Sequence, residues 1–91
     1  MKKEFGFGFL PDWARDCTIE KGSGKWWVFT DKDGVQTLVS YFTPIMRRYE
    51  DGTMVRFVES CSMTTFQHIR KWSGLRADDF RALPLTSIEN G

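Results

Sequence analysis

Between positions 25 and 74 the chain alternates apolar and polar residues in short runs, and each run stops at residues suited to a turn. The run 26–30 (WWVFT) is rich in β-branched and aromatic side chains, Asp31-Lys32-Asp33-Gly34 supplies turn chemistry, and 35–42 resumes the alternation. A first hairpin is predicted. Thr43-Pro44 interrupts the pattern, because Pro offers no N–H to a ladder. The runs 45–49 and 53–60 then flank Glu50-Asp51-Gly52, which predicts a second hairpin. A three-residue turn there pairs Tyr49 with Thr53, Arg47 with Val55 and Ile45 with Phe57, leaving Met46, Arg48, Met54 and Arg56 on the opposite face. A slip of one residue would exchange the two faces.

Over 65–73 the period lengthens to that of a helix. Thr64, with Gln67 three residues on, makes a capping-box pattern, and Gly74 stands where a left-handed residue ends a helix. Phe66, Ile69 and Trp72 fall on one side, expected to pack on the sheet, while His68 and Lys71 share the other with Arg70 near its edge. His68 therefore reads as a helix-surface residue. A short final helix is predicted over 77–83, with Asp78 near its positive end and Pro84 closing it, followed by an extended segment.

Upstream, Phe5, Phe7 and Phe9 recur at period two with Gly6 and Gly8 between them, which is strand spacing with one bare face. Two readings stay open. The arm tucks its rings into the core, or it offers them to a partner or to a second copy of the chain, since glycines admit another backbone closely. The latter would make a homodimer through Phe5, Phe7 and Phe9. Pro11 ends the arm, and 12–16 suits one helical turn capped by Asp12. The expected fold is α+β: a small antiparallel β-meander of about four strands, one main helix packed on one face, and a short C-terminal helix. It forms a single domain over 1–91, with 1–24 an aromatic arm and loop, 25–60 the two hairpins, and 61–91 the helix and C-terminal segment.

Eight Phe, four Trp and two Tyr make an aromatic core the natural way to stabilise so short a chain, since each buried ring removes about 150–250 Å² from water. Formal net charge is +1, which argues against attachment to nucleic acid by bulk charge alone. Cys17 and Cys61 are too few for a disulfide scaffold and read as reduced. The start MKKEFGFGFLPDW lacks the apolar stretch of a signal peptide, and no run approaches the roughly 18 apolar residues of a membrane span. A soluble, cytoplasmic protein without a membrane partner is expected.

Candidate chemistry is sparse. The stretch 20–25 (EKGSGK) resembles a phosphate loop but has Ile19 where the first glycine belongs and Trp26 where a Ser or Thr must bind magnesium. His68 with Cys17 or Cys61 makes at most a thiol dyad lacking an orienting third residue, and two Cys with one His, without ligand spacing, do not make a zinc site. No catalytic residue, metal or cofactor is assigned. Charges are sorted by type: six of seven Arg lie after Thr43, five of six Lys before Asp33, and six acidic residues also follow Thr43. Arginine both forks onto carboxylate or phosphate and stacks on rings. Arg47, Arg48 and Arg56 with Tyr49 and Trp72, extended by Arg70 and Lys71, are the candidate partner-binding residues. The competing reading is a solvated sheet face with cross-strand ion pairs.

The segments SYFTPIMRRYEDGTMVRF and CSMTTFQHIRKW resemble a family of small domains of unknown function found in bacteriophage and prophage genomes. The resemblance rests on Ser40, Tyr41, Thr43 and Pro44, on Asp51 and Gly52, and on Ser62, Thr64, Thr65, His68 and Ile69, and it spans 25–72. It implies a phage origin and no catalytic residues. In that setting the expected function is a non-enzymatic accessory protein that binds and blocks a host protein, a defence (CRISPR-type) nuclease or its nucleic-acid complex among them. Two alternatives are a nucleic-acid-binding module using sheet aromatics and arginines, and a self-associating structural component of the phage.

Overall fold

A computed structural model describes residues 12–14 and 16–87; the Phe5, Phe7 and Phe9 arm lies outside them. After one turn of 3₁₀ helix at Asp12–Ala14 come strands β1 (Thr18–Lys21), β2 (Trp26–Thr30), β3 (Gln36–Ser40), β4 (Thr43–Arg48) and β5 (Met54–Arg56), then helices α1 (Met63–Ser73) and α2 (Ala77–Arg81). The strands form one sheet in the order β1-β2-β3-β4-β5, each antiparallel to its neighbour. The fold is the expected α+β meander with one main and one short helix. The strand missing from the expectation is β1, a mostly exposed edge of sequence TIEK. With almost no burial it carries no alternating apolar signal.

The turns at 31–34 and 50–52 form as read. The Asp31 carboxylate accepts from the backbone N–H groups of Asp33 and Val35, each at 2.9 Å, and Asp51 accepts from Thr53 N–H at 2.9 Å. These side chains mimic a backbone turn. Register in the second hairpin also agrees: Arg47 opposes Val55, Tyr49 N–H donates to Thr53 O at 2.8 Å, and Phe57 N–H donates to Ile45 O at 2.8 Å.

Around Pro44 the structure corrects the reading. Strand β3 stops at Ser40 rather than 42, and β4 runs straight through Thr43-Pro44. Leu38 opposes Met46 while Val39 opposes Pro44, so Ile45 is the extra residue of a β-bulge, where a strand tolerates an irregular ladder and a proline. The bulge lets Ile45 and Met46 join the same core layer. Strand β5 is shorter than predicted, ending at Arg56, whose outer edge pairs with another segment. Arg56 N–H donates to Pro84 O and Thr86 N–H to Arg56 O, both at 2.9 Å, which lays 84–86 alongside in a parallel bridge.

Both faces of the sheet are covered. Trp26, Val28, Leu38, Ile45 and Met46 pack with Ile69 of α1 and Phe80 of α2 on one face; Trp27, Phe29 and Val39 pack with Ala14 on the other. This explains why WWVFT reads as an unbroken apolar run: alternate rings go to opposite layers, and each layer is closed. Gly22 is required by one of these rings. The Trp26 indole lies against its Cα, where an added Cβ would overlap the ring.

Helix α1 is capped two residues earlier than predicted. Ser62, not Thr64, is the N-cap, its Oγ accepting from Thr65 N–H at 3.2 Å. Gly74 closes the helix in the left-handed conformation, as expected, with its N–H on Arg70 O. The sheet-facing side is also corrected: Thr65, His68 and Ile69 are its buried residues, while Phe66 is half-buried and packs edge-on against Phe80 with ring centroids 5.8 Å apart.

Phe80 is thus the ring on which both helices converge. Phe80→Ala is expected to cost about 3–5 kcal/mol, a large share of the roughly 5–15 kcal/mol available to a small domain. Phe66→Ala should cost less. Urea denaturation of the two variants checks the order.

Candidate functional site

The arginines named from the sequence do not share a surface. Arg47 is 7% exposed. Its Nε donates to Thr37 Oγ1 at 2.9 Å, and its guanidinium lies over Trp13 and Phe57 at 5.7 and 5.2 Å from the ring centroids. It therefore belongs to the face opposite the helices. Arg48 is on the helix face, donating through Nε and Nη2 to Gln36 Oε1 at 3.2 and 2.9 Å and stacking on Trp72 at 4.5 Å. Arg56 donates to the backbone oxygens of Leu83, Val58 and Glu59 at 2.9–3.2 Å and sits 6.0 Å from the Phe80 ring. Arg48 and Trp72 are the one pair brought together as expected. Tyr49 lies at a far end of the sheet, in an open cavity of about 450 Å³ lined with Asp33, Glu50 and Asp51. Arg70 and Lys71 are exposed on α1.

The surface that stands out instead is the β3–β4 turn. It consists of Tyr41 and Phe42 alone, and both have left-handed backbones, φ 51° and 73°. A two-residue hairpin of this hand favours Asn-Gly, because a bulky side chain in the left-handed region is strained. Such strain is of order 1–3 kcal/mol per residue. Both rings also remain 47% and 44% exposed. Part of the strain is offset by ring packing: Phe42 stacks on Trp27 at 5.5 Å and Tyr41 leans on His68 at 5.6 Å. Tyr41 N–H donates to Lys25 O at 2.9 Å, tying the turn to the start of β2.

Because hairpin turns alternate between the ends of a meander, this tip shares its end with the β1–β2 turn. There Lys21 Nζ donates to Gly24 O at 2.7 Å and lies 5.8 Å from the Trp27 ring, and Lys25 is exposed. The opposite end carries Asp31, Lys32, Asp33, Glu50 and Asp51. Among the described residues, this end of the sheet therefore carries aromatic rings with Lys21 and Lys25 beside Glu20, and the other end is mostly acidic.

Behind the tip runs a line of hydroxyls. Ser62 Oγ donates to Thr65 Oγ1 at 3.2 Å, Thr65 Oγ1 and Ser40 Oγ share a hydrogen bond of 3.1 Å, and Ser40 Oγ and His68 Nδ1 share one of 2.9 Å. His68 is only 5% exposed, which corrects its reading as a helix-surface residue. Its ring lies beside Trp26, with centroids 6.0 Å apart. Sequence periodicity placed it outside because His counts as polar; Ser40 satisfies it inside. Burial, helped by the charge of Lys71, lowers its pKa below the ordinary 6.5. Ser40, 2% exposed, has no open approach for a substrate, so the Ser40–His68 contact serves to dock helix on sheet.

The thiols are not activated. Burial raises Cys17, reinforced by Asp31 and opposed by Arg47, and burial raises Cys61 against the pull of Arg81. They sit against different core layers. Among the described residues no three His, Cys, Asp or Glu side chains come close enough to hold a metal ion, and no helix is long and apolar enough to cross a membrane.

A family model described as a family of unknown function, DUF8033, matches residues 18–87. The chain belongs to that family. The matched span takes in all five strands, both helices and the 84–86 segment that pairs with Arg56. No curated protein and no solved structure matches the chain.

Two outcomes follow from the tip and its support. Replacing Tyr41-Phe42 by Asn-Gly removes the strain of two bulky left-handed residues and forfeits, among the described residues, the ring contacts to Trp27 and His68, of about 0.5–1.5 kcal/mol each. The melting temperature should therefore hold or rise. Burial depresses the His68 pKa, so as pH falls through about 6.5 the unfolded chain takes up a proton more readily than the folded one. Stability should fall as pH drops below about 6.5, and His68→Gln should flatten that fall. Asp51, lowered from 3.8 by its Thr53 hydrogen bonds, acts in a more acidic window.

Proposed function

We propose that this chain is a non-enzymatic binding module that docks on another protein through the basic, aromatic end formed by Tyr41, Phe42, Lys21 and Lys25. One observation carries the reading: two large rings occupy a tight turn at a conformational cost that Asn-Gly would avoid, and both keep nearly half their surface in water. Aromatic side chains held rigidly at low entropy cost are the usual anchors of protein interfaces. The lysines suit a partner with acidic groups around an apolar contact. Relative to the sequence reading, the contact moves from Arg47 and Arg56, whose donors are engaged within the domain, to the hairpin tip. Lys71, beside His68, remains at its flank, whereas Arg48 with Trp72 lies toward the other end of β4, where Arg48 opposes Gln36.

The resemblance to phage and prophage domains makes a host protein the expected partner, bound and blocked rather than chemically altered, with a defence nuclease as one candidate. Single-stranded nucleic acid is a second reading, favoured by Lys21 over Trp27 and by rings on which bases stack. A protein is preferred because the opposite end is acidic and the net charge is +1.

Affinity capture from host extract, with and without nuclease, compares the wild type with the Asn-Gly tip and with Lys21→Glu/Lys25→Glu. A protein retained by wild type after nuclease treatment, and lost from both folded variants, is the expected result. Capture that disappears with nuclease, and oligonucleotide affinity that falls log-linearly with salt, would favour the second reading. Unchanged capture by both variants would remove the tip from the function.

A further inference from the structure

A second surface lies away from the tip, where α2 crosses α1. An open groove of about 290 Å³ runs between the helices, lined by Met63, Phe66, Gln67, Arg70 and Ala77. Its floor is apolar and firmly backed: Phe66 rests edge-on on the fully buried Phe80. Met63 stands at its mouth with 75% of its surface exposed, the most exposed of the large hydrophobic side chains among the described residues. A flexible thioether at the lip of a groove adapts to side chains of different shape.

The rim is cationic and short of carboxylates. Arg70 stands one helical turn beyond Phe66 and forms no ion pair among the described residues. The Arg81 guanidinium lies over Phe66 at 5.3 Å from the ring centroid. The nearby acids are engaged: Asp78 pairs with Arg81 at 3.4 Å, and the Asp79 carboxylate accepts from Arg76 N–H at 3.1 Å. The first turn of α1 carries no acidic residue. An apolar trough with an unpaired guanidinium on its lip fits an occupant that brings an apolar side chain and a negative charge together.

We propose that the groove between α1 and α2 receives an acidic peptide segment of a partner protein, seating one large apolar side chain against Met63, Phe66 and Ala77 while a neighbouring carboxylate pairs with Arg70. The site does not depend on the hairpin tip. A protein that holds both surfaces at once would gain from their effective concentration, with no new contact needed.

The test uses the whole isotope-labelled chain and three synthetic hexapeptides. The first is Glu-Glu-Leu-Phe-Glu-Glu, the second has Ser-Ser at its centre, and the third has Lys in place of Glu. Saturable shifts of the Met63 methyl and of the Phe66, Gln67, Arg70 and Ala77 amides with the first peptide are expected, with both controls at least about tenfold weaker. Met63→Asp and Arg70→Glu each change an exposed side chain, so the melting temperature should hold while the shifts are lost. Equal shifts with all three peptides, no shifts at millimolar peptide, or full binding by Arg70→Glu would overturn the proposal. Concentration-dependent dimers that Met63→Asp disperses would overturn it as well, making a second copy of the chain the occupant.

Discussion

Arginine stacked on aromatic rings is the interaction that closes this domain. Among the described residues the guanidinium group adds to the apolar cover on both faces of the sheet. It is flat and weakly hydrated for a cation, so it lies on a ring as a lid while its edge donates hydrogen bonds. Arg47 does this between Trp13 and Phe57 under the sheet, Arg48 on Trp72 at the end of α1, and Arg56 beside Phe80 while holding three backbone oxygens. Each contact is worth about 0.5–1 kcal/mol when exposed and about 2 kcal/mol when desolvated. Lysine, with a compact and strongly hydrated charge, would fill none of these places.

That chemistry explains what the sequence revealed and what it hid. The concentration of arginine among aromatics after position 43 was legible, and Arg48 and Trp72 both stood in the candidate partner-binding set. The direction of the stack was not legible. Nothing in composition separates an arginine that covers its own core from one that waits for a partner. Hairpin register was legible because Asp31 and Asp51 stand where their carboxylates can close turns and because apolar residues alternate between them. The β3–β4 turn was not, since Tyr, Phe and Thr are strand formers by propensity and the left-handed backbone at 41 and 42 runs against it. One clue was available: two antiparallel hairpins in one meander require a reversal between them, and Pro44 marks its vicinity. His68 was misplaced for a related reason. Helical periodicity sorts residues by polarity, and a histidine satisfied by Ser40 behaves as part of the interior.

The turn and the hydroxyl line behind it are one assembly. Ser40 is the last residue of β3, and the same residue that hands the chain to Tyr41 also holds Thr65 and His68 of α1. Tyr41 leans back on His68. The tip is thereby fixed to the helix as well as to the sheet, so its rings are presented by a rigid support. Rigidity of this kind lowers the entropy lost on binding.

The segment 84–86 makes a different kind of contribution. Apart from it, every strand pairing in the sheet joins consecutive strands, a topology with mostly short loops to close and hence little entropic delay in forming. The parallel bridge joins positions 56 and 85 across both helices. It also covers the outer edge of β5, which would otherwise present unpaired amides to another chain; β1, at the opposite edge, is guarded instead by charged Glu20 and Lys21 and by its brevity. Among the described residues, one border of the sheet has no strand beside it, and the other is shut by a latch that the helices must first bring into position.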